Sequence, residues 1–270
     1  MTHLQDKTAA EKEIVLETKN LTIKFAGLVA VDGLDMVIRK NALFGLIGPN
    51  GAGKTTVFNM ITQHYQPTSG EIFFQGKSTK GISPEKIVEK GIARTFQNIR
   101  LFTELSVRDN VMAAMHMRLK INWFFEILGV GGYRRKEKLM YERADKLLET
   151  VGLLPFAEEK AGGLPYGMQR RLEIVRALAT EPTLLLLDEP AAGMNPQEVV
   201  DLTQFIRKIR DHFDLTILVI EHHMSLVMNL CEEIIVINYG KKICEGNPGQ
   251  VQCNPKVIEA YLGVEKVAEN

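Results

Sequence analysis

The sequence predicts an α/β fold: a mostly parallel sheet covered by helices, a small antiparallel layer beside it, and a helical insertion. Three observations predict it. Three short apolar runs, residues 43–48, 184–187 and 216–220, end abruptly in glycine or acidic residues. Looser alternating runs precede the first of them, and from about residue 107 to residue 180 the spacing turns helical.

Taken in order, residues 14–25 and 29–39 alternate in the manner of two strands, and the GEIFFQG stretch at 70–76 reads as another between glycines. These make the antiparallel layer. The run 43–48 lacks two-residue alternation, which fits a strand buried on both faces in a parallel sheet. A helix over 55–62 follows it. In the insertion, helices are expected over 107–119, over 136–151 with Leu139, Ala144, Leu147 and Leu148 on its apolar face, and over 169–179. The runs 184–187 and 216–220 then return to the parallel sheet. In open α/β sheets ligands sit beyond the carboxyl ends of the strands, so the polar residues closing these runs are expected to converge.

Composition excludes several classes. The chain has 270 residues, 45% of them hydrophobic, enough for a packed core. Lysine plus arginine (33) balance aspartate plus glutamate (33), so no global field draws the protein to nucleic acid or anionic lipid. No apolar run approaches the roughly 18–20 residues that span a bilayer. The opening MTHLQDKTAAEKEIV mixes acids and bases and is expected to be a polar lead-in, not a secretory signal. Cys231, Cys244 and Cys253 form no C-x-x-C pair, which suits reduced thiols and a cytosolic setting.

The segment Gly48-Pro49-Asn50-Gly51-Ala52-Gly53-Lys54-Thr55-Thr56 satisfies G-x-x-x-x-G-K-[ST] between a strand and a helix. Glycines there let backbone N–H groups ring a phosphate, and the helix start adds partial positive charge. The expectation is a P-loop nucleotide site in which Lys54 neutralises the β- and γ-phosphates and the Thr55 hydroxyl ligates Mg²⁺. Asp188-Glu189, after the four leucines, is the expected complement: Asp188 holds Mg²⁺ through water and Glu189 orients and deprotonates the attacking water. His222 and His223 are adjacent, so on a helix or a strand they would point apart and make a poor metal pair; a γ-phosphate contact is the better reading for His222.

With these motifs in order, the chain resembles the ATP-binding subunits of ABC transporters from about Leu16 to Leu262. The resemblance implies a P-loop NTPase core of the RecA-like kind with ATP and Mg²⁺ as its ligands. Gln97, in Arg94-Thr95-Phe96-Gln97, matches the glutamine loop that touches Mg²⁺ and the attacking water. Ala192-Gly193-Met194-Asn195 matches the dimer-contact loop, His222 the switch histidine, and Phe25 the place of an aromatic against adenine, although Phe25 also reads as ordinary core. The run Leu164-Pro165-Tyr166-Gly167-Met168-Gln169 sits where the signature motif belongs. In the family that motif binds the nucleotide of the opposite subunit, so Pro165, Tyr166, Gly167 and Met168 are implied in trans contacts. Two departures stand out: Pro165, Tyr166 and Met168 replace residues of the usual LSGGQ, and Asn195 stands where many members carry aspartate. Proline offers neither hydroxyl nor N–H, so the opposite site is expected to be the weaker one.

Residues 166–176, 188–196 and 220–228 look most like the first ATPase subunit of branched-chain amino-acid importers. That likeness implies a head-to-tail dimer with a sister ATPase or with itself, two transmembrane permease subunits, an external solute-binding protein reached indirectly, no nucleic acid, and a peripheral place on the cytoplasmic face of the inner membrane. The implied division is a lead-in (1–13), a core with its antiparallel subdomain (14–96 and 182–247), a helical subdomain (97–181) and a C-terminal segment (248–270). An importer of urea or amides, a soluble ABC-type ATPase and a regulatory subunit of low turnover are the competing readings. The aromatic and basic cluster from Asn122 to Lys136 reads equally as a docking surface or as packed aromatics with solvated charges.

Overall fold

The computed structural model describes residues 13–116 and 133–268, with side chains over 13–116 and 137–261. Residues 1–12 of the lead-in and most of the 122–136 cluster lie outside the described residues.

A long hairpin opens the chain, β1 (Ile14–Phe25) and β2 (Leu28–Arg39), followed by β3 (Leu43–Ile47) and helix α1 (Lys54–Ile61). Strands β4 (Ser69–Phe74) and β5 (Lys77–Ser78) complete an antiparallel sheet ordered β2-β1-β4-β5. Helix α2 (Pro84–Lys90) leads into a three-residue strand, β6 (Ile92–Arg94). Among the described residues the helical insertion holds the α-helices α3 (Val107–His116), α4 (Tyr133–Val151) and α5 (Tyr166–Leu178). The chain then runs β7 (Leu184–Asp188), α6 (Pro196–Phe213), β8 (Thr216–Ile220), α7 (Met224–Leu230), β9 (Glu233–Asn238), β10 (Lys241–Gly246), α8 (Pro248–Gln252) and α9 (Pro255–Ala268).

The second sheet is ordered β10-β9-β3-β8-β7-β6, parallel except for β10. Its central strands are buried on both faces, the reason their sequences do not alternate. Successive side chains on a strand point to opposite faces. Leu184 and Leu186 pack toward the antiparallel sheet and α1, whereas Leu185 and Leu187 pack toward the helices of the insertion and the C-terminal half. All four are fully buried, worth about 1.5–3 kcal/mol each against exposure.

Two elements differ from the sequence expectation in detail. On α4 the apolar face runs through Met140, Ala144, Leu148 and Val151, while Leu139 is 48% exposed and Leu147 half-buried. The i, i+4, i+8 row is the one turned to the core, and Leu139 lies one position off it. A run of four apolar residues, 234–237, supplies β9, which inserts between β3 and β10 and widens the parallel sheet beyond the three predicted strands.

Candidate active site

Four strands of the large sheet end at one place, and each delivers a functional side chain there. After β3, the loop 48–53 turns on glycines. Gly48 (φ +155°) leaves no room for a side chain, since a Cβ would lie 2.0 Å from the Ile237 carbonyl oxygen. Gly53 (φ +104°) is the residue before α1, and a Cβ there would meet the Ala30 carbonyl oxygen at 2.5 Å. No side chain caps α1, so the first N–H groups of the helix remain open to an anionic ligand. Lys54 is buried and donates to the carbonyls of Gly48 (2.7 Å) and Pro49 (3.0 Å). Burial pushes its ammonium below the ordinary lysine pKa, opposed by the carboxylates of Glu189, Asp188 and Glu221. A cavity of about 330 Å³ lies over this loop, walled by residues 50–56 with Val29, Ala30, Glu189 and Tyr239. Asn50, Gly51, Gly53, Lys54, Thr55 and Thr56 are thus together as expected, and the Thr55 hydroxyl is on an exposed residue.

After β7, Asp188 and Glu189 diverge. Asp188 is buried and its Oδ2 accepts from the Arg94 guanidinium at 2.7 Å, while Arg94 also donates to the Asn59 side chain on α1. Glu189 adopts a left-handed backbone (φ +46°), uncommon for a residue with a side chain and typical of strained functional positions. That turn carries its carboxylate to the cavity wall, where Oε2 accepts from Gln97 Nε2 at 2.7 Å and lies 3.6 Å from His222 Nδ1. Glu189, Gln97 and His222 are therefore one contact set, although 92 residues separate Gln97 from Glu189.

After β8, Glu221 is fully buried and holds the switch loop. Its Oε1 accepts from Ala191 N–H and its Oε2 from the N–H groups of both His222 and His223. The expectation that the two imidazoles point apart is corrected here. They lie in a loop with neither helical nor strand period, and their ring centroids are 4.4 Å apart with a 36° tilt.

The glutamine loop is gripped from below by α5. Arg170, fully buried, donates to the carbonyls of Phe96 and Gln97 and to Glu173, each at 2.8 Å. Glu173 in turn accepts from the N–H groups of Phe96 and Arg100, and its burial raises its carboxyl above the usual range against the pull of Arg170. Sequence reasoning missed Arg94, Arg170, Glu173, Glu221 and Tyr239. Arg94 and Arg170 lay inside quoted motifs, but nothing in one sequence says which neighbour of a motif is buried.

Pro165 is the residue before α5, where its missing N–H costs no helical hydrogen bond. The Tyr166 hydroxyl donates to the Ala192 carbonyl at 2.9 Å, tying the signature segment to the expected dimer-contact loop. Asn195 caps α6 in a reciprocal box with Glu198, a role asparagine fills as well as aspartate. None of Pro165, Tyr166, Gly167 and Met168 walls the cavity over the P-loop. Phe25 is not core: it is 40% exposed near the hairpin tip, edge-on to Tyr65.

Comparisons with known proteins identify the family. The family model described as ABC transporter matches residues 31–192, and one described as branched-chain amino acid ATP-binding cassette transporter matches residues 241–267. The chain is 47% identical over 249 residues to the high-affinity branched-chain amino acid transport ATP-binding protein BraF of Pseudomonas aeruginosa, covering 92% of this chain and 98% of that one. It is 44% identical, with the same coverage, to LivG of Escherichia coli, of the same description. Among solved structures, the ADP conformation of an ATP-binding cassette of an ABC transporter aligns with a TM-score of 0.82 at 31% identity, over 93% of this chain and 99% of that chain. Fold, motif geometry and these likenesses lead to one conclusion: the chain belongs to the ATP-binding subunits of ABC transporters.

Proposed function

We propose that this chain is the ATP-hydrolysing subunit of an importer for branched-chain amino acids. The observation that carries the chemistry is the contact of Glu189 with Gln97 and His222 at the mouth of the P-loop cavity. The relatives' descriptions and the match over residues 241–267 support the solute class.

In this reading the loop N–H groups, the open start of α1 and Lys54 hold the phosphates of ATP. The site also fits Mg²⁺: Thr55 and Asp188 offer the hard oxygen donors it prefers, and the Arg94 hydrogen bond engages Asp188 through Oδ2. Bound there, the cation would neutralise phosphate charge. Glu189 takes the proton of the attacking water, Gln97 fixes the carboxylate through its amide, and His222 supports the γ-phosphate. Phe25 lies against adenine. Pro165, Tyr166, Gly167 and Met168 complete the site of a second ATPase, a sister chain or a copy of this one, across a head-to-tail dimer. Closure and reopening of that dimer drive two permease subunits served by an external binding protein, with this chain peripheral on the cytoplasmic face of the membrane. The core is 14–96 with 182–247 and the helical subdomain 97–181, so Gln97 stands at their junction. No helix among the described residues is long and apolar enough to cross a membrane, which suits a subunit that works through separate permeases.

The test is to tag the chain, extract native membranes in mild detergent, and identify what co-purifies. Two multi-spanning proteins and a second ATPase are expected, and turnover of the reconstituted complex should rise with leucine, isoleucine or valine. Stimulation by urea or amides instead would replace the solute assignment, and recovery of only soluble partners would overturn transport.

A further inference from the structure

The switch loop places three metal-binding side chains together that the hydrolytic reading uses only in part. Glu221, His222 and His223 each offer one ligand atom, and these lie within 4.8 Å of one another. The geometry is close to what a tetrahedral ion requires. Bonds of about 2.0–2.1 Å to nitrogen and oxygen put neighbouring donor atoms about 3.3 Å apart. Here Glu221 Oε2 is 3.1 Å from His223 Nδ1 and 3.9 Å from His222 Nδ1, and Glu189 Oε2 is 3.6 Å from His222 Nδ1.

Preorganisation comes from Glu221. A carboxylate has about four acceptor positions. Three of them on Glu221 are taken, one on Oε1 by the N–H of Ala191 and two on Oε2 by the N–H groups of His222 and His223, which fixes this fully buried group with Oε2 3.1 Å from the Nδ1 of the His223 imidazole. A cation entering between them takes the Nδ1 lone pair, with the imidazole proton carried on Nε2, and shares the negative charge of Oε2 with the two backbone N–H groups already on it. Both imidazoles are partly exposed, so the ion has a route in from solvent. Imidazole donors select zinc-class ions, whereas Mg²⁺ prefers all-oxygen sites.

We propose that Glu221, His222 and His223 form a binding site for a zinc-class divalent cation, with water as the fourth donor, and that filling it stops ATP hydrolysis by holding His222 away from the nucleotide and from Glu189. The second half rests on the reading of His222 and Glu189 as partners of the reaction.

The experiment uses the full chain with Cys253 replaced by serine, to remove an exposed thiol that would also take the metal. Calorimetry with Zn²⁺ and the visible spectrum of Co²⁺ report binding without nucleotide. Zinc inhibition is measured on the assembled complex as the ratio of each protein's turnover with and without micromolar Zn²⁺. Expected are one ion per chain, a Co²⁺ spectrum of a tetrahedral nitrogen and oxygen site, at least tenfold weaker binding in His223→Gln, and tenfold or greater inhibition that His223→Gln relieves. Absence of binding, or binding unchanged in His223→Gln, overturns the site and leaves the hydrolytic reading intact. Binding that depends on His223 without loss of turnover upholds the site and overturns the role given to His222.

Discussion

Replacing Arg170 by methionine tests the idea that α5 positions the glutamine loop. Arg170 is fully buried and makes three 2.8 Å hydrogen bonds, to Glu173 and to the Phe96 and Gln97 carbonyls. Methionine fills much of the volume and makes none of them. The change leaves two loop carbonyls and the Glu173 carboxylate without their donor, and breaking a buried pair from one side costs about 3–5 kcal/mol. At about 2–4 °C per kcal/mol for a domain of this size, the midpoint should fall by about 6–20 °C. Glu173 sharpens the test. Its carboxyl is already raised by burial, with Arg170 pulling it down, so the substitution raises it further. The native state then holds a proton that the unfolded chain has released, and stability falls as pH rises above the ordinary carboxyl range. In Arg170→Met with Glu173→Gln the orphaned charge is gone, the acceptor for Phe96 and Arg100 N–H remains, and part of the stability should return without the pH slope. Turnover should not return, because the Gln97 backbone stays unheld and displacement of about 1 Å costs about 10²-fold. Urea unfolding and ATPase assays at a temperature where both variants are folded measure this. A loss under about 1 kcal/mol, or turnover of the single variant within twofold of the parent, would refute the reasoning.

Other expectations follow from the same contacts. Glu189→Gln should keep nucleotide binding and lower turnover by about 10²–10⁴-fold, the usual worth of a positioned base; hydrolysis at the parent rate would remove Glu189 from that role. Asn195→Ala removes one side of the reciprocal cap on α6 and should cost about 0.5–2 kcal/mol in denaturant unfolding, whereas Asn195→Asp should be near neutral. Burial pushes the Cys231 thiol up to about 12, so in the folded protein at pH 8 an alkylating reagent should label exposed Cys253 and spare Cys231 until denaturant is added. Equal labelling of both in the native state would contradict the packing of Cys231 under β3.

Much was legible in the sequence because it depends on neighbours along the chain. A strand buried on both faces must be apolar at every position, so 184–187 and 216–220 announced themselves, and a phosphate loop needs its glycines, lysine and threonine at fixed spacing. The acidic pair was visible for the same reason, whereas the capping role of Asn195 emerged only from the structure. What only the tertiary structure decided is which distant residues meet. Parallel order in the sheet brings Gln97, Glu189 and His222 from three strand ends to one carboxylate. Burial turns Arg94, Arg170 and Glu221 from ordinary charges into the supports of the acidic pair, the glutamine loop and the switch loop. The orientation of His222 and His223 was misjudged because a loop has no side-chain period, and in it the direction of an imidazole is set by the buried carboxylate that its backbone wraps around.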